Sequence, residues 1–330
     1  DTSVTGVQTC ALPISALLAA PHAIAQAQKS APYPAKSVRI LVGYAPGGAT
    51  DIVGRLIAQK LTETAGQSFI VENRLGASAT IAAELVARAA PDGYTLFIAA
   101  SASHSIMPSL MAKLSYDTQR DFASISLLAL SPQILTVHPS LPVRSVADMI
   151  KVARAQPGQL NFGSGGTGTP PHLAGELFQQ MAGVRLTHVP YKGEAPAITD
   201  LIGGQMSLMF SNVVAVLPQV QSGRLRGIAV TSATRVPTLP NYPTIGESGL
   251  PGYATDSWFG LVATAGTPAD VLSKLNADTL RSMNQADVRE RLAAQGLFVK
   301  TSTPAELSAL MQSELVRWAK VIKSAGIKIE

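Results

Sequence analysis

Three short runs of glycine, serine and threonine each follow an apolar stretch and precede a helical one. They are Pro46-Gly47-Gly48-Ala49-Thr50-Asp51, Ser101-Ala102-Ser103-His104-Ser105 and Ser164-Gly165-Gly166-Thr167-Gly168-Thr169. A strand that opens into a helix through such a loop presents unpaired N–H groups and the positive end of the helix dipole. Glycine lets the backbone approach a ligand closely, and Ser and Thr hydroxyls add donors. None of the three loops contains Lys or Arg. The chemistry they fit is anion binding by neutral donors and bridging water. One such loop merely turns a chain; three of like character point to a shared ligand.

Other chemistry finds little support. Gly163-Ser164-Gly165-Gly166-Thr167-Gly168 also fits G-x-G-x-x-G, and Glu194 lies roughly where a ribose-binding acid would be sought. A dinucleotide-dependent oxidoreductase is therefore a competing reading. Against it, Thr169-Pro170-Pro171 interrupts the expected helix entry, and no second mononucleotide half follows. The sequence contains no G-x-S-x-G, H-E-x-x-H or G-x-x-x-x-G-K-[ST]. The histidines at 22, 104, 138, 172 and 188 have no metal-ligand spacing, and Cys10 alone supports neither a disulfide nor a Cys-based metal site. No catalytic residue, cofactor or metal is expected. His104 and His172 flank the loops as candidate donors, and His172 fits capping or packing equally well. The 26 Lys and Arg outweigh the 21 Asp and Glu, but no two basic residues are adjacent and aromatics are 5%. A nucleic-acid groove is excluded on that pattern.

The loops need a scaffold, and 330 residues that are 46% hydrophobic can bury a large core. From Val38 the pattern of strand, loop and helix repeats. Val38–Tyr44, Phe69–Glu72 and Tyr94–Ala100 read as strands, with helices after Thr50 and from Gly76–Thr80 to about Ala90. A second unit follows, with strands at Ile134–His138, Leu160–Gly163, Leu186–Pro190, Leu208–Phe210 and Gly227–Val230 and a helix over 170–181. Alternation of this kind implies an α/β fold with parallel strands and helices on both faces. Helix starts are marked at Ser145, Thr267-Pro268-Ala269-Asp270 and Thr303-Pro304-Ala305-Glu306. The last helix carries Leu307, Leu310, Met311, Leu315, Trp318 and Ile322 on one core-facing stripe and stops at Gly326.

Ser15–Ala27 is apolar and ends in Ala25-Gln26-Ala27, the small-x-small pattern of a signal-peptide cleavage site. No basic residue precedes Lys29, and residues 1–14 resemble translated sequencing-adapter read-through. Residues 1–27 are accordingly expected to be contaminant plus export-signal remnant, with Cys10 foreign to the folded protein.

Long segments in order resemble the Bug-type substrate-binding proteins of tripartite tricarboxylate transporters. They are VRILVGYAPGGATDIVGRLIAQKL, VENRLGASATIAAELVARAAPDGYTL, HLAGELFQQMAG, HVPYKGEAPAITDLIGGQMSLMF and WFGLVATAGTP, and the match runs from about Tyr33 to the C-terminus. The resemblance implies a periplasmic-binding-protein-like type II fold: two lobes, each a mixed sheet flanked by helices, joined by two crossing strands. On that pattern 33–134 and 231–330 form lobe 1 and 135–230 form lobe 2. It also implies periplasmic location, a monomer, delivery to a large and a small integral-membrane subunit, and no enzymatic activity. Family ligands are mostly carboxylates: di- and tricarboxylic acids, acidic amino acids and aromatic acids. A binding protein serving a sensor is the alternative within the same fold.

Carried over motif by motif, Tyr44, Pro46, Gly47, Gly48, Thr50 and Asp51 hold one carboxylate, partly through water. Ser101, Ser103 and His104 form the next contact loop, and Ser164, Gly165, Thr167 and Thr169 form the anion loop of the second lobe. The family often reads Phe-Asp-Asn where this chain has Phe210-Ser211-Asn212. Ser211 and Asn212 are thus expected at the cleft, and the missing carboxylate favours a plain acid over an amino acid. Tyr44 stands where Phe is common and adds a hydroxyl.

Overall fold

A computed structural model describes residues 32–328 except 112 and 238, together with 2, 3 and 6. Cys10, His22, the Ser15–Ala27 segment and nearly all of 1–14 lie outside the described residues.

The chain first forms β1 (Val38–Val42), α1 (Ala49–Ala65), β2 (Phe69–Asn73), α2 (Thr80–Ala87) and β3 (Thr95–Ala100). A π-helical turn over Ala102–Ile106 leads into α3 (Met107–Leu110), followed by the long β4 (Phe122–Val137). Next come α4 (Val146–Ala155), β5 (Asn161–Ser164), α5 (Pro170–Ala182), β6 (Thr187–Pro190), α6 (Glu194–Ile202), β7 (Leu208–Asn212), α7 (Val213–Gln221) and β8 (Arg226–Val230). The chain closes with β9 (Asp256–Thr264), α8 (Ala269–Met283), α9 (Ala286–Ala293), β10 (Phe298–Val299) and α10 (Pro304–Ala325).

Strands β2, β1 and β3 pair in parallel. Both faces are covered, so their sequences are nearly continuous apolar runs. Ile40, Val42, Leu96 and Ile98 pack on α1, while Leu41, Phe97 and Ala99 on the opposite face meet Ala82, Ala83 and Val86 of α2. The sheet is mixed, because β9 runs antiparallel to β3 and β4 runs antiparallel to β9. Parallel alternation alone did not foresee that insertion. The front half of β4 carries no strand signal in sequence: both its faces are buried, which leaves no period of two to detect.

β4 belongs to both halves of the molecule. Phe122–Pro132 pairs with β9, and Gln133–Val137 pairs with β7 and β8 of the second sheet, where β7, β5 and β6 are parallel. The chain returns from β8 to β9 beside this point. There Thr231 donates its N–H to Gln133 O at 2.9 Å and its hydroxyl to Thr255 O at 2.6 Å. One residue thus ties both crossing strands together. The final helix follows the same division, with Leu307 and Met311 in the first core and Trp318, Val321 and Ile322 packed with Phe178, Phe210 and Tyr253.

The capping box at Thr303 forms, and Asp148 N–H donates to Ser145 Oγ at the start of α4. Thr267 behaves otherwise. Its hydroxyl donates to Thr264 O, and Pro268 occupies the cap position of α8 with no side-chain cap.

Candidate functional site

A cavity of about 350 Å³ opens where the carboxyl ends of β1, β3, β5 and β7 meet. Tyr44, Ala49 and Thr50 line it after β1, and Ala100, Ser101 and Ala102 at the end of β3. Thr167, Gly168 and Thr169 follow β5, and Asn212, Val214 and Ala215 come at the end of β7. Ser131 of β4 and Ser257 of β9 complete the floor at the crossing.

Helices α1, α5, α6 and α7 all point their N-terminal ends at this space, and none of the four carries a side-chain cap. Their dipoles make it favourable for anions, and α1, α6 and α7 add free N–H groups, whereas α5 opens with Pro170 and Pro171, which have none. Among the described residues the lining includes no Lys or Arg. Of the helices with side-chain caps, α4 and α10, neither lines it.

In the first loop, Tyr44 and Thr50 reach the cavity, whereas Pro46, Gly47 and Gly48 are exposed beside it. Asp51 is expected at the ligand from sequence, but the structure turns it inward, 2% exposed. Its Oδ2 accepts from Gly47 N and Arg55 Nε at 2.9 and 2.8 Å, and Oδ1 accepts from Asn73 Nδ2 at 2.8 Å. Burial would raise this carboxyl, but the bonds from Arg55, Asn73 and Gly47 outweigh it and hold the group below the usual range. Asp51 therefore shapes the loop. Ser78, unnoticed in the sequence, lines the cavity from a left-handed turn and accepts the Tyr44 hydroxyl at 3.4 Å.

Ser101 also reaches the cavity. Ser103 and His104 do not, because the π-helical turn rotates both into the core at 0% exposure. Ser103 Oγ donates to Ala100 O and sits 3.0 Å from His104 Nδ1. The His104 ring packs against Phe97 and Phe122, with centroids 5.5 and 4.7 Å away. Burial pushes its pKa down to about 3, so it stays neutral.

In the second lobe Thr167 and Thr169 line the cavity. Ser164 is buried beneath them, 2.7 Å from His188 Nε2, and accepts Gly166 N–H at 3.1 Å. Gly165 lies close to the start of α6: a Cβ there would stand 3.3 Å from the Glu194 backbone nitrogen and Cγ, a tight contact. His172 accepts Gly168 N–H on Nδ1 and stacks on His188 at 3.7 Å, so it supports the loop from below.

Alternation along β7 separates Ser211 from Asn212. Asn212 faces the cavity; Ser211 is fully buried with an unpartnered hydroxyl and does not line it. The expectation that position 211 removes a carboxylate from the cleft is corrected on that ground. The cleft does contain a carboxyl, supplied by Glu194 at the start of α6. Ser131 Oγ donates to Asn212 Oδ1 at 3.4 Å, and Asn212 Nδ2 donates to Glu194 Oε1 at 2.5 Å. Burial, opposed by the bonds from Asn212, pushes the Glu194 carboxyl up to about 7. Glu194 appears in the sequence only as a possible ribose ligand; nothing local marks it as a cleft residue.

Among the described residues no group of three or more His, Cys, Asp and Glu has metal-site geometry, and no helix is long and apolar enough to cross a membrane.

Comparison with known proteins gives this geometry its family. BugT of Bordetella pertussis is 34% identical over 299 residues, covering 90% of this chain and 92% of BugT. An R. palustris protein solved with adipate is 40% identical with a TM-score of 0.77, covering 90% of this chain and 99% of that one. MatC from Rhodopseudomonas palustris, solved with bound malate, is 34% identical with a TM-score of 0.72, covering 88% and 100%. This chain is a solute-binding receptor with a periplasmic location, not an enzyme. The family profile described as tripartite tricarboxylate transporter family receptor matches residues 53–327, and the chain belongs to that family.

Proposed function

We propose that the protein holds a small di- or tricarboxylate, or an aromatic carboxylate, in the cavity between its lobes and delivers it to a tripartite tricarboxylate transporter. The observation that carries this reading is the convergence of four uncapped helix N-termini on a cavity whose lining, among the described residues, has no Lys or Arg. Adipate and malate in the two similar structures are acids of the size such a cavity suits.

In this reading Tyr44, Thr50 and Ser101 hold one carboxylate from lobe 1, with the Gly47-Gly48 segment offering contacts through water. Thr167, Thr169 and Asn212 face it from lobe 2. Lobe 1 comprises 33–134 and 231–330, and lobe 2 comprises 135–230. Closure about Gln133 and Thr231 brings the two sets of donors together, driven by the extra affinity of the closed form for ligand. Export through the Ser15–Ala27 segment, a monomeric state, and hand-over to a large and a small membrane subunit belong to the same proposal.

The test is a thermal-shift and calorimetric screen of adipate, malate, citrate and benzoate. Ligand at about a hundred times Kd stabilises the folded form by about 2.7 kcal/mol. Absence of any shift with all four acids overturns the reading.

A further inference from the structure

The carboxyl of Glu194 lines a cavity whose other polar groups are hydroxyls, amides and backbone N–H groups. Asn212 Nδ2 donates to Oε1 and the Asn212 main chain also bonds the carboxyl, whereas no other side chain donates to Oε2 among the described residues. A negative charge on this group would face the bound anion in a space where, among the described residues, no lining Lys or Arg neutralises it. A proton on Oε2 removes the conflict and turns the group into a donor. We propose that Glu194 is protonated in the ligand-bound receptor and donates its Oε2–H to a ligand carboxylate, so that binding takes up one proton from solvent. This rests on the carboxylate reading above.

The surroundings bear on the sign. On its own segment Lys192 is exposed, and Asp200 accepts the Tyr191 hydroxyl at 2.7 Å. Helix α5 brings His172, whose Nε2 is 3.4 Å from Glu176, and α7 brings no charged residue. On β6, His188 is pushed down to about 3 by burial and by His172, and stays neutral above that. Across the cavity the first lobe offers Tyr44, whose phenol burial pushes up, and the Asp51–Arg55 pair, closed on itself. Before any anion is added, burial pushes Glu194 up to about 7, against its bonds from Asn212. A ligand anion raises it further, so proton uptake appears above pH 7 and vanishes well below it.

The test is titration calorimetry of adipate, malate and aspartate with the intact protein, in buffers of different ionisation enthalpy from pH 6 to 8.5. The expected result for the acids is an uptake approaching one proton at pH 8. Affinity falls about tenfold per pH unit above 7. Glu194→Gln, which presents an amide donor, flattens this profile and abolishes the uptake. Acid binding with a flat profile and no uptake in the unaltered protein overturns the inference while leaving the carboxylate reading intact. Persistence of the slope in Glu194→Gln overturns it too, by assigning the proton elsewhere. Preference for aspartate with affinity rising with pH makes Glu194 an ionised partner of an ammonium and likewise sinks it. Failure of all acids to bind overturns the carboxylate reading itself.

Discussion

The carboxylate of Asp51 accepts the main-chain N–H of Gly47 at 2.9 Å, closing the loop that feeds α1 back onto the first turn of the same helix. Three donors on a 2%-exposed carboxylate make it a keystone of loop shape. Asp51→Ala leaves Gly47 N–H and Asn73 Nδ2 without this partner and is expected to destabilise by about 1–3 kcal/mol in urea titration. Ligand affinity falls with it, because Thr50 loses its fixed position. The folded carboxyl is depressed, so its contribution is complete above the unfolded pKa of about 3.8 and is lost as pH falls through the lower folded value. An undisturbed affinity in Asp51→Ala would show that the loop holds its shape without this bond.

Histidine burial predicts a second acid sensitivity at higher pH. His104 and His188 are both held neutral, each pushed down to about 3. Unfolding lets each take up a proton, so stability is complete above about pH 6.5 and falls as pH drops toward 3. His104→Phe removes one of these groups along with its unpartnered Nε2. The slope of stability against pH between 6 and 4 should shrink by about one proton, or about 1.4 kcal/mol per pH unit. Carboxylate affinity should persist, since the ring packs among Phe97, Tyr116 and Phe122 away from the cavity. Loss of binding at constant stability would return His104 to the ligand.

How far sequence reaches is clear from these two residues. The loops are legible because Gly, Ser and Thr between a strand and a helix are local signals, and the three parallel strands of the first sheet are read from the apolar runs before them. Which side chain of a loop meets the ligand was not legible. Asp51 and His104 have the chemistry of ligand contacts, yet a helical turn and a π-helical turn rotate them into the core. Glu194 has no local signal at all, since its place depends on Asn212, 18 residues away in sequence on another strand. The antiparallel insertion of β9 is likewise non-local: it pairs with residues more than a hundred positions earlier, and no period of two survives burial on both faces.

Ser211 yields a prediction opposite in sense to that of a cleft residue. Its hydroxyl is fully buried without a partner among the described residues. Ser211→Ala removes that unsatisfied group and is expected to leave the protein equally stable or stabilised by about 1 kcal/mol. Ser211→Asp buries a carboxylate there and is expected to destabilise strongly, without a new ligand preference among the soluble fraction. A clear gain in aspartate affinity from Ser211→Asp, measured by calorimetry, would place the side chain back at the cavity.

Gly43 controls the cavity wall from behind. A Cβ at this position would stand 2.1 Å from Ala79 Cβ and 2.6 Å from Ala79 Cα, so the turn at Ser78 and Ala79 must move to admit it. Both of those residues have left-handed backbones, with φ of 54° and 74°. Such conformations cost about 1–2 kcal/mol each and persist only where packing holds them. Gly43→Ala therefore loosens the segment that carries Ser78 to the cavity and accepts the Tyr44 hydroxyl. The expected outcome is a loss of about 1–3 kcal/mol in urea titration together with weaker carboxylate binding. Ser78→Gly separates the two effects, because glycine relieves the strain at 78 while removing only its hydroxymethyl group. Stability should hold or rise in Ser78→Gly. If Gly43→Ala binds carboxylates as tightly as the unaltered protein, the left-handed turn does not shape the ligand site.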